Sequence, residues 1–189
     1  MSKLQKEPLS NKRIIQATLD ILDSYGAAGL SMRRLGTTLN VEAASLYHHV
    51  PNKEALIQQV IDAVSIKAVV DEATVLPWTQ TFHAFATNFR NILKAHPGVV
   101  PLVAIHSVSE ETGAKLAIPL IAAMEKTKAS PEEVLFIIQS IAVFVIGHAL
   151  AEVGNWPERP TAPPEYYNQW FEVGLTALIN GFKQQYDEQ

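Results

Sequence analysis

Residues 39–57, LNVEAASLYHHVPNKEALI, constrain the fold more than any other part of the chain. Leu39 ends one helical pattern, and Asn40 tolerates the left-handed backbone that reverses direction. Val41 follows as an apolar plug. Residues 42–49 then read as a two-turn helix with Val41, Leu46 and Val50 inward, leaving Glu42, Ala43, Ser45, Tyr47 and His48 outward. Pro51 stops that helix, and Asn52 caps the next one just before Lys53. This is the pattern of the turn and second helix of a helix-turn-helix. A short helix with a small, hydrogen-bonding outer face suits a major groove.

The residues before this stretch supply the rest of a three-helix head. A first helix starts at Ser10 or Asn11 and runs to about Tyr25, with Ile14, Ala17, Thr18, Ile21, Leu22 and Tyr25 in one stripe. Gly26 and Gly29 break it, and Ser31 caps a second helix over 32–39 with Met32, Leu35 and Leu39 inward. Gly36 removes a side chain where two helices cross closely. Arg33 and Arg34 lie in the first turn, a few residues before the reversal, and this placement favours phosphate or guanine contact over a merely solvated face. Residues 1–9 read as a frayed terminus whose Lys3 and Lys6 are alternatively phosphate contacts.

Downstream the pattern stays helical. A fourth helix runs from Lys53 to about residue 70, long enough to leave the head, and 71–77 read as a break. Trp78 opens a helix to about Ala95 with Phe82, Phe85, Phe89, Ile92 and Leu93 on its apolar side, ended by His96-Pro97-Gly98. One short helix within 99–108 and another over 110–128, kinked at Pro119, follow. Ser130-Pro131-Glu132-Glu133 is a strong helix start. The helix it opens, 131 to about 153, is long enough to span a bilayer. Gln139, Ser140 and His148 are spread along it, so it reads as a helix sandwiched in protein. Residues 154–164 form a proline-rich loop, and the last helix covers about 165–186, where Gly174 and Gly181 let another helix come close.

The expected fold is therefore all-α, with about nine helices. A helix-turn-helix domain occupies 1–52, a connecting helix 53–70, and a helical body 71–189. Charge divides along the same line. Residues 1–70 hold eight Lys/Arg and six Asp/Glu, net +2, whereas residues 71–189 hold seven and thirteen, net −6. A mildly basic head on an acidic body is compatible with nucleic acid at one end, and equally with ordinary surface variation. The chain has no cysteine, which excludes a disulfide-stapled fold or a thiolate metal site. No apolar leader opens the sequence, so the cytoplasm is the expected compartment and no membrane is involved. No HExxH, GxSxG, P-loop or GxGxxG pattern is present, so the chain reads as neither an enzyme nor a cofactor or metal protein.

At this point the chain resembles the TetR family of bacterial transcriptional regulators. The resemblance rests on Ile15-x-Ala17-x-Leu19 through Gly26, then LSMRRLGTTLNVEAASLYHHVPNKEALI, and LYxHVxNKxAL is similar to the tetracycline-repressor branch. It is specific over about 12–62, loose to about 100, and architectural beyond. Asn40 stands where the family usually has glycine, and Ala43 and Ala44 replace a polar residue and a proline.

The resemblance implies a homodimer paired through helices at about 131–153 and 165–186. Its two heads would sit on a pseudo-palindromic double-stranded operator, and a small molecule in the body would release it. Carried over by position, Ser31, Arg33 and Arg34 would meet the DNA at the start of the second helix. Ala43, Ala44, Ser45 and His48 would face the groove, and Tyr47 and Lys53 would bond phosphates. His49 would either touch DNA or support the turn. The alanines offer only apolar contact, so direct readout falls on Arg33, Ser45 and His48. Candidates for the effector pocket are Phe85, Phe89, His106, Gln139, Phe144 and His148, the polar three because a buried polar group needs a partner. The family's magnesium–tetracycline ligand set has no convincing match, so an apolar or amphipathic effector is expected. A regulator without a small-molecule ligand, constitutive or governed by a protein partner, is the alternative.

Overall fold

The computed structural model describes residues 8–70, 76–154 and 162–187. Lys3, Lys6, the break at 71–75 and most of the proline-rich loop lie outside them. Among the described residues there are nine α-helices and no strand.

Local chemistry accounts for the head. Helix α1, Asn11–Gly29, is capped by the Ser10 hydroxyl, which accepts from Arg13 N–H, and it breaks at Gly26, whose φ of 65° suits glycine. It therefore runs one turn beyond the expected end at Tyr25, and Tyr25, expected in the buried stripe, is exposed. Helix α2, Met32–Leu39, is capped by Ser31. Asn40 closes it at φ 53°, ψ 49°, the left-handed reversal expected of it, and Val41 N–H bonds back to Gly36 O at 2.9 Å. Gly36 is needed there, because a Cβ would lie 3.0 Å from the Val41 carbonyl oxygen.

Helix α3 is shorter than the expected 42–49. It is a single turn, Ala43–Leu46, followed by tight turns in which His49 and Val50 N–H both bond to Leu46 O. Helix α4, Lys53–Ser65, is capped by Asn52 at 2.8 Å from Ala55 N, and it gives way to a 3₁₀ turn, Ile66–Ala68, rather than continuing to residue 70.

The body holds α5, Trp78–Ala95; a 3₁₀ turn, Pro97–Val99; α6, Val100–Ile105; α7, Glu110–Ala123; α8, Pro131–Val153; and α9, Pro164–Tyr186. The expected start of α8 is a full capping box. Ser130 Oγ accepts from Glu133 N, and a Glu133 carboxylate oxygen accepts from Ser130 N at 2.7 Å. These hydrogen bonds hold the Glu133 carboxyl below its usual pKa.

Helix α8 is not sandwiched on all sides. Val134, Ile137, Ile141, Val145 and Ala149 are buried against α5, α6, α7 and α9, while Leu135, Phe136, Gln139, Val143 and Leu150 are exposed. Gly174 lets α9 come close to α8, since a Cβ would lie 2.7 Å from the Phe144 ring, whereas Gly147 and Gly181 face open space. Buried apolar residues of head and body form one continuous cluster.

Candidate functional site

The outward surface of the head gathers most of the residues expected at DNA. Ala44, Tyr47 and His48 are exposed, Ala43, Ser45, His49 and Lys53 are partly exposed, and Leu46 and Val50 anchor the turn from beneath. Tyr47 is 51% exposed, so its hydroxyl stands clear for a phosphate. Lys53 opens α4, where unpaired backbone N–H groups favour an anion.

The two arginines are not equivalent. Arg34 Nη1 donates to Gly29 O at 2.7 Å, and its guanidinium lies 4.6 Å from the centre of the Tyr25 ring. It braces the broken end of α1 against α2, so one of its guanidinium nitrogens is already engaged. Arg33 is exposed, and its guanidinium has no partner among the described residues. It lines a cleft of about 360 Å³ with Ala28, Gly29, Ser31, Arg34 and Thr37. Ser31 Oγ is occupied as the helix cap. His49 Nδ1 lies 3.2 Å from Asn11 Oδ1, tying the turn to the start of α1, a partner the sequence did not suggest.

The head is joined to the body at two places. On α1, Asp23 accepts from Gly98 N–H at 3.0 Å and pairs with His96 Nδ1 at 2.9 Å. The approach is so close that a Cβ on Gly98 would lie 2.0 Å from Leu22 O. On α4, Asp62 accepts from Ser109 N–H at 2.8 Å, and Gln58 Nε2 donates to Ser107 O at 3.1 Å. Helix α6 lies in the chain between these two joints, one to α1 and one to the connecting helix α4.

Two effector candidates fall outside the interior. His106 is exposed beside the α4 joint, and Gln139 lies on the open face of α8. Their selection assumed burial, and α8 is apolar on so many sides that its pattern does not show which side faces in. Phe85 and Phe89 are buried and stacked with centroids 6.1 Å apart, and Phe144 is partly buried. His148 is 3% exposed, among Phe144, Tyr167, Trp170 and Phe171. Neither of its ring nitrogens has a hydrogen-bond partner, and the nearest carboxylate, Glu152, is 3.7 Å away. Burial, reinforced by the Arg90 charge, holds its pKa below the ordinary histidine value.

Next to it is a buried charged cluster. Arg90 on α5 grips Glu152 on α8 through Nε and Nη2 at 2.8 and 2.9 Å, Lys94 adds a bond of 2.9 Å, and Arg90 Nη2 also reaches Asn168 on α9 at 2.7 Å. Burial pushes the Glu152 pKa up, but the two cations outweigh it and the net shift is downward. The sequence signal was available: Arg90 sits in register with Phe82, Ala86 and Leu93, and Glu152 with Ile141, Val145 and His148, charges at core positions. Among the described residues no three His, Asp or Glu side chains converge as a metal site.

Known proteins place this architecture. The family model for bacterial regulatory proteins of the tetR family matches residues 14–60. The tetracycline repressor protein class E of Escherichia coli is 32% identical across 95% of this chain and 93% of its own length. Among solved structures, a TetR variant of Acinetobacter baumannii AYE in complex with minocycline shares the fold, with a TM-score of 0.77, 23% identity, and coverage of 94% of this chain and 98% of that one. BioQ with its double-stranded DNA operator superposes with a TM-score of 0.71 at 26% identity, over 92% of this chain and 98% of that one. The chain is thus a DNA-binding regulator and not an enzyme, and it belongs to the TetR family of bacterial transcriptional regulators.

Proposed function

We infer that the chain acts in the cytoplasm as a homodimeric repressor of a pseudo-palindromic operator, released when an apolar or amphipathic small molecule enters the body. The observation that carries the dimer is the open face of α8 and α9. Phe136, Val143 and Leu150 on one helix and Tyr166, Trp170 and Val173 on the other are exposed, apolar surface of the kind a second copy covers. Two heads on such a dimer would enter successive major grooves about 34–36 Å apart.

On the DNA side Arg33, Ser45 and His48 read bases, Ala43 and Ala44 offer apolar contact, and Tyr47, His49 and Lys53 hold phosphates. The division into a head over 1–52, a connecting helix over 53–70 and a body over 71–189 follows these roles. On the effector side the remaining candidates are Phe85, Phe89, Phe144 and His148, whose chemistry is aromatic with one neutral polar group. A ligand that displaces α6 would act on α1 through Asp23 and on α4 through Asp62. The relatives named for tetracycline repression or bound to minocycline make drug-like amphiphiles a sensible first panel.

The test has two parts. Selection from a random duplex library, at stated salt, is expected to enrich a two-fold symmetric site bound by a dimer in sedimentation. A thermal-shift panel of amphipathic compounds is expected to contain one that raises the Tm and releases that duplex. Specific duplex binding by a dimer, with no compound that releases it, would favour a regulator without a small-molecule ligand.

A further inference from the structure

We propose that Asn11 is a positioning residue for DNA binding: it fixes the tautomer of His49, so that His49 engages a DNA phosphate by taking up a proton. The inference rests on the DNA-binding reading of the head and goes beyond it. His49 Nδ1 and Asn11 Oδ1 are 3.2 Å apart, bridging residues 38 apart in sequence. With the Asn11 carboxamide turned so that Oδ1 faces the ring, the proton of this bond is on Nδ1, because an amide oxygen only accepts. In the neutral ring Nε2 therefore carries a lone pair. The ring is partly exposed in the turn between Tyr47 and the Asn52-capped start of α4, the stretch assigned to phosphates. A lone pair facing a phosphate oxygen repels it, whereas an imidazolium Nε2–H donates a charge-assisted bond to it.

The titratable and charged groups on the elements that meet here are Lys12 and Arg13 on α1, Tyr47 and His48 on the turn, and Lys53 and Glu54 on α4. Asn11 is the hydrogen-bond partner of the His49 ring, and Arg13 Nη1 is directed to Pro8 O at 3.1 Å. The phosphate is then the negative charge that makes the imidazolium the favoured bound form. His48 differs in kind. It is exposed and has no hydrogen-bond partner among the described residues, so its neutral ring can present whichever N–H a base or phosphate requires. His49 is committed where His48 is free.

The experiment uses the full chain and the duplex it enriches from a random library, with Kd measured at about pH 6 and about pH 8 at fixed salt. Nitrogen-15 correlation spectra of the free protein at about pH 8 report the tautomer. The wild type is expected to bind about tenfold tighter at the lower pH, the linkage of one proton. That ratio survives His48→Gln and collapses in His49→Gln. In Asn11→Ala the neutral ring regains the Nε2–H form, so the ratio shrinks because binding at high pH is preserved. A role in packing alone would weaken both pH values by one factor. The proposal is overturned if His49 is mainly Nε2–H in the free wild type, or if the ratio is unchanged by His49→Gln or Asn11→Ala. If no duplex is enriched, the DNA reading fails on its own account, and the spectra of the free protein still decide what Asn11 does to the ring.

Discussion

Head and body invert one another. The head buries apolar side chains and turns an arginine, a lysine and two histidines outward. The body, over an apolar core of its own, departs from that pattern. It buries Arg90 and Glu152 and leaves Phe136, Val143 and Trp170 in the open. An anomaly on a folded surface marks what is absent from it. Cationic and polar groups above a thin turn fit a polyanion, and an apolar face beside a firmly braced core fits a second protein surface.

The largest test of this contrast strikes the buried charges. Glu152→Ala leaves Arg90 interred without its counter-ion and is expected to cost about 3–5 kcal/mol in urea unfolding. Glu111→Ala, which breaks the exposed Glu111–Lys115 pair, is expected to cost less than about 1 kcal/mol. Equal costs would erase the distinction between the two environments. Next in size is Arg33→Ala. It should weaken the enriched duplex by about ten- to hundredfold, equivalent to about 1–3 kcal/mol, with no change in Tm. Wild-type affinity would return readout to Ser45 and His48 alone.

Val143→Glu should weaken self-association by about tenfold or more, equivalent to about 1.4 kcal/mol, while circular dichroism stays helical. A dimer as tight as wild type would mean that the apolar face serves something else. The smallest effect is that of pH on His148. Its pKa is depressed in the folded chain, so below the ordinary value of 6.5 the unfolded chain accepts a proton that the folded one resists. Stability should therefore fall as pH drops from about 7 to 5.5, above the range near 4.5 where Glu152 begins to matter. In His148→Phe that slope should flatten.

What the sequence made legible was chemistry contained within a turn or two. Asn40 as the left-handed reversal, Ser31 and Asn52 as caps, and Ser130 with Glu133 as a capping box each depend on neighbours in the chain. So does the inward set Leu35, Leu46 and Val50. Features that depended on distant partners were hidden. The bond between His49 and Asn11, 38 residues apart, could not be read from either segment alone. Arg90 and Glu152, 62 residues apart, show their meaning only once α5 and α8 are side by side. Gln139 was placed inside because a helix apolar on most sides has no phase to read, and the structure turns it toward the open face.

The joint at Asp23 has a consequence for the order of synthesis. Its partners His96 and Gly98 follow it by 73 and 75 residues, and the partner of Asp62 follows by 47. The recognition turn is complete at Val50, well before either partner segment. At a ribosome making about 5–20 residues per second, the stretch from Val50 to His96 takes roughly 2–10 s to add. Over that interval the contact that ties α1 to the body cannot form. Only later translation supplies the segment that fastens α1 to the body.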